Sequence, residues 1–280
     1  SIVVSAGGRL VRLLEKAGCE HVTWKHIGEK SIRCLKYIKP LMKFMVDENV
    51  DVLHLRSRLP AWVGYFAWKM LPKESRPALI TTFHGFYSVN AYSTIMTKGE
   101  RVVAVSQTIK EHILDNYKVS RNKIDLIHGG YDEKYFSHDN VSNERVNCLK
   151  RKWGVPENTP VILLPGRLTF WKGQEFFVDS LLHLEDYNFI ALLVGEVDET
   201  ASYTRRLKEK IRRNGLDERV ILTGHCQDMP AALKLSDIVV SASSSQPEAF
   251  GKIAIEAMAM KRLIIATAHG GSLETVVDGE

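Results

Sequence analysis

The chain of 280 residues is 45% apolar, 25% charged and 9% aromatic, a balance that excludes disordered, collagen-like and disulfide-scaffold proteins. That length sits where one hydrophobic core gives way to two, so two domains are expected. The net charge of +5 is uneven, with 21 Lys and Arg against 14 Asp and Glu in residues 1–140 and 17 against 19 in residues 141–280; the first half is suited to an anionic partner, phosphate groups or a membrane surface.

Short β-branched runs alternate with helical periodicity from end to end, the pattern of βαβ units and parallel sheets covered on both faces. Strand 2–5 comes first and is followed by helix 9–17; the leading SIVVSAGG has no basic region and no cleavage site and is not expected to be a signal peptide. A helix is predicted over 31–48. At about 100° per residue its Ile32, Leu35, Ile38, Leu41, Met42 and Met45 form one arc, and Lys30, Arg33, Lys36, Lys39 and Lys43 the opposite one. This basic amphipathic helix either packs on a sheet with a solvated face, kinked at Pro40, or attaches to anionic lipid.

Strands 52–55, 79–83, 102–105 and 124–127 and helix 107–117 complete the first half. Residues 77–97 lack Asp, Glu, Lys and Arg but carry His84, Gly85, Asn90 and several Ser and Thr, which bilayer insertion penalises. His128-Gly129-Gly130 and the polar stretch 137–144 read as a turn and linker. The second half has strands 161–164, 189–194, 220–222, 238–241 and 263–266, with helices 174–184, 202–214 and 251–260. Two Rossmann-like domains, 1–136 and 137–280, are the simplest architecture. Cys19, Cys34, Cys148 and Cys226 are scattered with no C-x-x-C pair, which argues for a reducing cytoplasm and against a zinc site or disulfide framework. No recognition motif points to nucleic acid.

The chemistry concentrates in residues 241–260, SASSSQPEAFGKIAIEAMAM, where a strand ends in a polar loop that turns into a helix near Gly251. Backbone N–H groups at such a helix start, with glycine allowing close approach, suit a diphosphate. Glu256 lies among Ile253, Ala254, Ile255, Ala257 and Met258, where an ionised carboxylate needs a hydroxyl or cationic partner; ligand ribose would serve. Glu248 sits at the carboxyl end of a strand, where open α/β sheets place ligands.

Glu248 and Glu256, with seven residues between them in P-E-A-F-G-K-I-A-I-E, resemble the E-x7-E signature of retaining family 4 glycosyltransferases of the GT-B fold. Pro165-Gly166-Arg167-Leu168 with Trp171-Lys172-Gly173 resembles the family's G-R-x(4)-K-G motif; Thr82-Phe83-His84-Gly85 resembles its T-x-H-G loop. Gly270-Gly271 with Glu274 resembles the late G-G-x-x-E. The likeness runs through nearly the whole chain in the family's order, and residues 52–62 and 83–92 are similar to bacterial enzymes that build lipopolysaccharide cores.

The resemblance implies two Rossmann-like domains facing across a cleft and transfer of a sugar, with retention, from a nucleotide-diphosphate sugar to a glycolipid such as a lipopolysaccharide-core intermediate. It assigns Arg167 and Lys172 to the pyrophosphate, Glu248 to donor-sugar hydroxyls and Glu256 to the ribose. The amides around Phe250 and Gly251 would hold phosphate, with Gly166, Gly195, Ala249 and Lys252 completing the donor site and His225 in the base loop. His84 and Glu248 are the implied catalytic residues. His54, Arg56 and Arg58 follow a first-domain strand toward the acceptor side, and arginine's planar fork suits a phosphorylated acceptor. Two cations can neutralise the leaving diphosphate, so no metal and no further cofactor is expected.

The family's first strand and glycine-rich loop would precede Ser1, and further helices would follow Glu280, so the chain reads as truncated at both ends. Its expected place is cytoplasmic, at most peripheral on the inner face of the plasma membrane. Two other readings stay open: a fragment that binds nucleotide-sugar or membrane without transfer, and a GT-B-like sugar-nucleotide epimerase. A dehydrogenase is disfavoured because no G-x-G-x-x-G follows a strand.

Overall fold

Parallel strands, most of them apolar runs bounded by polar turns, alternate with helices in the computed structural model, which describes residues 1–29 and 31–279. The chain forms two units, Ser1–Ile127 and His128–Glu280. Lys30 and Glu280 lie outside the described residues.

The first unit runs β1 (Ile2–Ser5), α1 (Val11–Lys16), β2 (Glu20–Thr23), α2 (Ile38–Asp47), β3 (Val52–Leu55), α3 (Arg58–Met70), β4 (Ala78–Phe83), β5 (Arg101–Ala104), α4 (Gln107–Asn116) and β6 (Ile124–Leu126). Strands β3-β4-β5-β6 form one parallel sheet in that order, and β1 pairs with β2 in a separate parallel pair. Ser106 caps α4 by accepting from the Ile109 amide at 3.0 Å, which starts the helix directly after β5. Helices α2 and α3 bury Leu41, Met45, Val63 and Ala67 against one another, with Ile27 and Cys34 in the same cluster.

The helix expected over 31–48 is two pieces. Residues Ile32–Tyr37 form a 3-10 helix and α2 begins at Ile38. Pro40 explains the break: it has no N–H to donate, which an α-helix tolerates only in its first turn, where Pro40 now sits. The change of pitch takes Ile32 and Leu35 off the buried arc, and they are 85% and 46% exposed. They lie among exposed Arg33, Lys36, Lys39 and Lys43.

The second unit runs α5 (Asn143–Lys152), β7 (Val161–Pro165), α6 (Gln174–Leu181), β8 (Ile190–Val194), α7 (Ser202–Arg213), β9 (Val220–Gly224), α8 (Met229–Leu235), β10 (Ile238–Ser241), α9 (Lys252–Ala259), β11 (Leu263–Ala266) and α10 (Ser272–Thr275). Its five strands form one parallel sheet in the order β11-β10-β7-β8-β9. Val161, Leu163, Ile190, Leu192 and Val239 pack into one core, while Ile162, Leu164, Ala191 and Leu193 pack into another. Neighbouring residues thus serve opposite faces, both covered, which is why these strands read as unbroken apolar runs. Each fully buried leucine contributes about 1.5–3 kcal/mol by leaving water. Among the described residues no helix is long and apolar enough to cross a membrane.

Candidate functional site

The carboxyl ends of β7, β8 and β10 are drawn together by glycines. The Gly166 amide donates to the Val194 carbonyl at 2.8 Å, and the Gly195 amide to the Gly224 carbonyl at 3.1 Å. A Cβ on Gly195 would lie 2.0 Å from the Gly166 carbonyl oxygen, and one on Gly173 would lie 1.8 Å from that of Ala242. Gly173 also has φ +72°, which glycine adopts at little cost. With Gly173 fixed there, Lys172 is carried over the end of β10.

Lys172 forms an ion pair with Glu248, and both side chains are largely buried. The same carboxylate oxygen, Oε1, accepts from Lys172 Nζ and from the hydroxyl of buried Ser243. Among the described residues Oε2 has no hydrogen-bond partner. Thr267 Oγ1 donates to the Ser243 carbonyl at 2.8 Å and holds that loop to the end of β11. Trp171 lies beside both cations, its ring 4.5 Å from Lys172 Nζ and 5.6 Å from the Arg167 guanidinium carbon. Such contacts hold both charges near the indole ring.

The loop from Pro247 to Gly251 lies directly on Gly270 and Gly271. The Gly271 amide donates to the Glu248 carbonyl at 2.7 Å. A Cβ on Gly271 would come within 2.5 Å of Phe250 Cα, and Gly270, at φ +63°, meets the Pro247 side chain. The late glycine pair therefore works by letting backbone touch backbone. His128 stacks on Phe250 with ring centroids 5.7 Å apart, and its Nε2 lies 3.2 Å from Glu274 Oε2. Gly251, at φ +82°, precedes α9, whose first residues are Lys252 and Ile253. Glu256 follows on that helix with Lys252 Nζ 3.8 Å away. Burial pushes its carboxyl above the ordinary value, and Lys252 only partly opposes this.

Of the donor residues expected from sequence, Gly166, Arg167, Lys172, Gly195, Glu248, Ala249, Phe250, Gly251, Lys252 and Glu256 all fall in the segments that follow β7, β8 and β10 or on α9. His225 is exposed just after Gly224 at the end of β9. Ser243 is a site residue that sequence reasoning missed.

In the first unit, Arg56 Nε donates to His84 Nε2 at 3.2 Å, and His54 Nε2 lies 2.7 Å from the hydroxyl of buried Thr82. Accepting from Arg56 leaves the ring proton of neutral His84 on Nδ1. Burial, then Arg56, then His54 hold the His84 pKa below 6.5. His54 is lowered by burial and Arg56. Arg58 does not join this pair: it packs between Tyr87 and Tyr92, 4.9 and 5.3 Å from their rings, and donates to Ser93 at 3.1 Å. Its guanidinium braces the loop after β4.

Glycosyl transferases group 1 matches residues 147–280, and Glycosyltransferase Family 4 matches residues 2–135. A glycosyltransferase structure from Rickettsia africae ESF-5 is 37% identical to the chain, covers 99% of it and 73% of its own length, and superposes with a TM-score of 0.86. Anabaena HepE in complex with UDP and glucose has a TM-score of 0.85 at 23% identity, over 99% of this chain and 76% of its own. WaaG, a glycosyltransferase involved in lipopolysaccharide biosynthesis, has a TM-score of 0.70 at 12% identity, over 98% and 74%. Two parallel α/β units whose strand ends carry these residues define the GT-B class of fold. The chain belongs to the family 4, group 1 glycosyltransferases. It spans 60%, 40% and 44% of the length of three curated relatives that it matches.

Proposed function

We propose that the protein transfers a sugar, with retention of anomeric configuration, from a nucleotide-diphosphate sugar to a hydroxyl of a glycolipid of the lipopolysaccharide-core kind. The pairing of Lys172 with Glu248 carries this reading. It sets a cation able to meet a diphosphate beside a carboxylate whose second oxygen can accept from sugar hydroxyls. HepE, a fold relative, holds UDP and glucose, and WaaG supplies the lipopolysaccharide parallel.

In the proposed reaction the bond from the anomeric carbon to the diphosphate oxygen breaks as the acceptor oxygen bonds to the same face. The acceptor proton passes to the departing diphosphate. Arg167 and Lys172 stabilise the developing negative charge, the largest single term in many such reactions. They do so without a divalent ion. Neutral His84 offers an Nδ1–H donor to the sugar, and Glu256 takes the ribose hydroxyls. Arg56 meets an anionic group of the acceptor.

The membrane partner and a place on the inner face of the plasma membrane are proposed on Ile32 and Leu35, which stand in solvent among Arg33, Lys36, Lys39 and Lys43. Apolar side chains within a basic surface suit the headgroup boundary of an anionic bilayer.

The test of the whole reading is product analysis with UDP-glucose, GDP-mannose and ADP-glucose, a core glycolipid acceptor, and the variants Lys172→Ala and Glu248→Gln. Folded variants that lose transfer support it. Wild-type rates in either variant, or a product whose anomeric configuration is inverted, would overturn it.

A further inference from the structure

Gln174 is a polar side chain 1% exposed, at the first position of α6, immediately after the Lys172-Gly173 pair. Both ends of its amide are used. Nε2 donates to the backbone carbonyl of Arg167 at 2.9 Å, and Oε1 accepts from the Tyr203 hydroxyl at 2.9 Å. Tyr203 comes from the first turn of α7, so a relay runs from α7 through α6 to the loop after β7. Tyr203 is fixed in turn: its ring lies 5.5 Å from the Arg206 guanidinium carbon, and Arg206 Nε bonds Glu175 at 2.6 Å. Burial first, then Glu175, pushes the phenol up to about 12. Tyr203 is therefore a donor at any physiological pH.

Residues 166–172 carry both cations of the donor reading. One end of that loop is held by Gly173, where only a hydrogen fits against the Ala242 carbonyl. The other end is held at Arg167 by the Gln174 amide. A glutamate at 174 could not donate to a carbonyl, and a methionine would fill the space without either bond. The relay has a chemical requirement beyond packing.

We propose that Gln174 and Tyr203 are positioning residues for the donor diphosphate, acting through the Arg167 backbone to set where its guanidinium reaches. This rests on the reading that Arg167 and Lys172 bind the diphosphate. Neither residue is asked to touch the donor.

The experiment is calorimetric binding of UDP-glucose, GDP-mannose and ADP-glucose to the wild type, then of whichever binds to Tyr203→Phe, Arg167→Ala and the double variant, with thermal unfolding of each. Tyr203→Phe removes one hydroxyl and is expected to weaken binding about three- to tenfold. Arg167→Ala is expected to weaken it further, and Tyr203→Phe to add nothing in that background, because the group it positions is gone. Gln174→Met repeats the test at the next link and should match or exceed Tyr203→Phe. Wild-type affinity in Tyr203→Phe, or the same fold-loss with and without Arg167, overturns the proposal while leaving the donor reading intact. Wild-type affinity in Arg167→Ala, or no binding of any donor to the wild type, overturns the donor reading and this inference with it.

Discussion

Lys172 and Glu248, 76 residues apart in sequence, form an ion pair between the segments that follow β7 and β10, with Ser243 bonded to the same carboxylate oxygen. Each partner is thereby held in one orientation, and the cost of ordering the pair is met in folding. On the proposed function Lys172→Ala removes a charge that would meet the leaving group, and transfer is expected to fall about 100-fold or more. Glu248→Gln keeps the shape but loses the charge that pairs with Lys172, and should lose donor affinity as well as rate. Initial rates and donor titrations on proteins of matched circular dichroism measure both; a rate within threefold of wild type in either variant would refute the assignment.

Glu256 has the opposite electrostatics. Burial raises its carboxyl above the ordinary 4.5, with Lys252 in partial opposition, so over the window just above 4.5 the folded chain binds more of this proton than the unfolded chain. Stability attributable to Glu256 then falls as pH rises through that window, and the ionised group remains a burden above it. Glu256→Gln should unfold at a higher temperature than wild type at neutral pH yet, on the proposed function, bind nucleotide donor more weakly, because the proposed ribose contact loses its carboxylate. Unfolding scans at pH 4 and pH 8 separate the two: the gain should be larger at pH 8. A variant less stable than wild type at pH 8 contradicts the account.

The strands of the second unit were legible because a parallel sheet buried on both faces needs only apolar, β-branched runs, and Val161–Pro165 and Ile190–Val194 are such runs. β2 was not: Glu20-His21-Val22-Thr23 has one strongly apolar residue, and its pairing with β1 is a tertiary fact. The wheel through 31–48 goes out of phase at Pro40, so Ile32 and Leu35 fall outside the buried arc that Leu41 and Met45 keep. Motif spacing located Glu248 and Lys172 separately. Their contact depends on β10 lying beside β7, an order that sequence adjacency does not give. Ser243 stood among Ser241, Ser244 and Ser245 with nothing local to single it out. Arg56 and Arg58 read alike in sequence; that Arg58 lies against Tyr87 and Tyr92 is a tertiary fact that local spacing does not give.

His84 is held neutral below 6.5 by burial, then by Arg56 and His54, so the acid limb of its activity is expected below pH 6.5. The unfolded chain takes up this proton first as pH falls through 6.5, so the folded state loses stability with acidification until the native pKa is passed. Arg56→Ala removes the second cause and leaves burial in place. Its acid limb should therefore move up toward 6.5 without reaching it. Ring-proton titration of His84 by NMR, beside the rate profile, gives the two midpoints; an unmoved midpoint in Arg56→Ala would show that the guanidinium does not act on the ring.

Ile32 is 85% exposed, and a branched apolar side chain in that position gains about 1.5–3 kcal/mol when it leaves water. Lys36, Lys39 and Lys43, next to it on the 3-10 turn and α2, each add about 1 kcal/mol near a surface of anionic lipid. The two contributions respond to different variables: salt screens the charges and leaves the apolar one. Co-sedimentation with phosphatidylcholine vesicles containing phosphatidylglycerol should therefore retain the protein at low salt and release most of it at 0.5 M salt. Ile32→Ser should weaken retention by a factor that hardly changes with salt, whereas Lys36→Glu should weaken it chiefly at low salt. Equal retention on vesicles with and without phosphatidylglycerol would place the membrane contact elsewhere or remove it from the account.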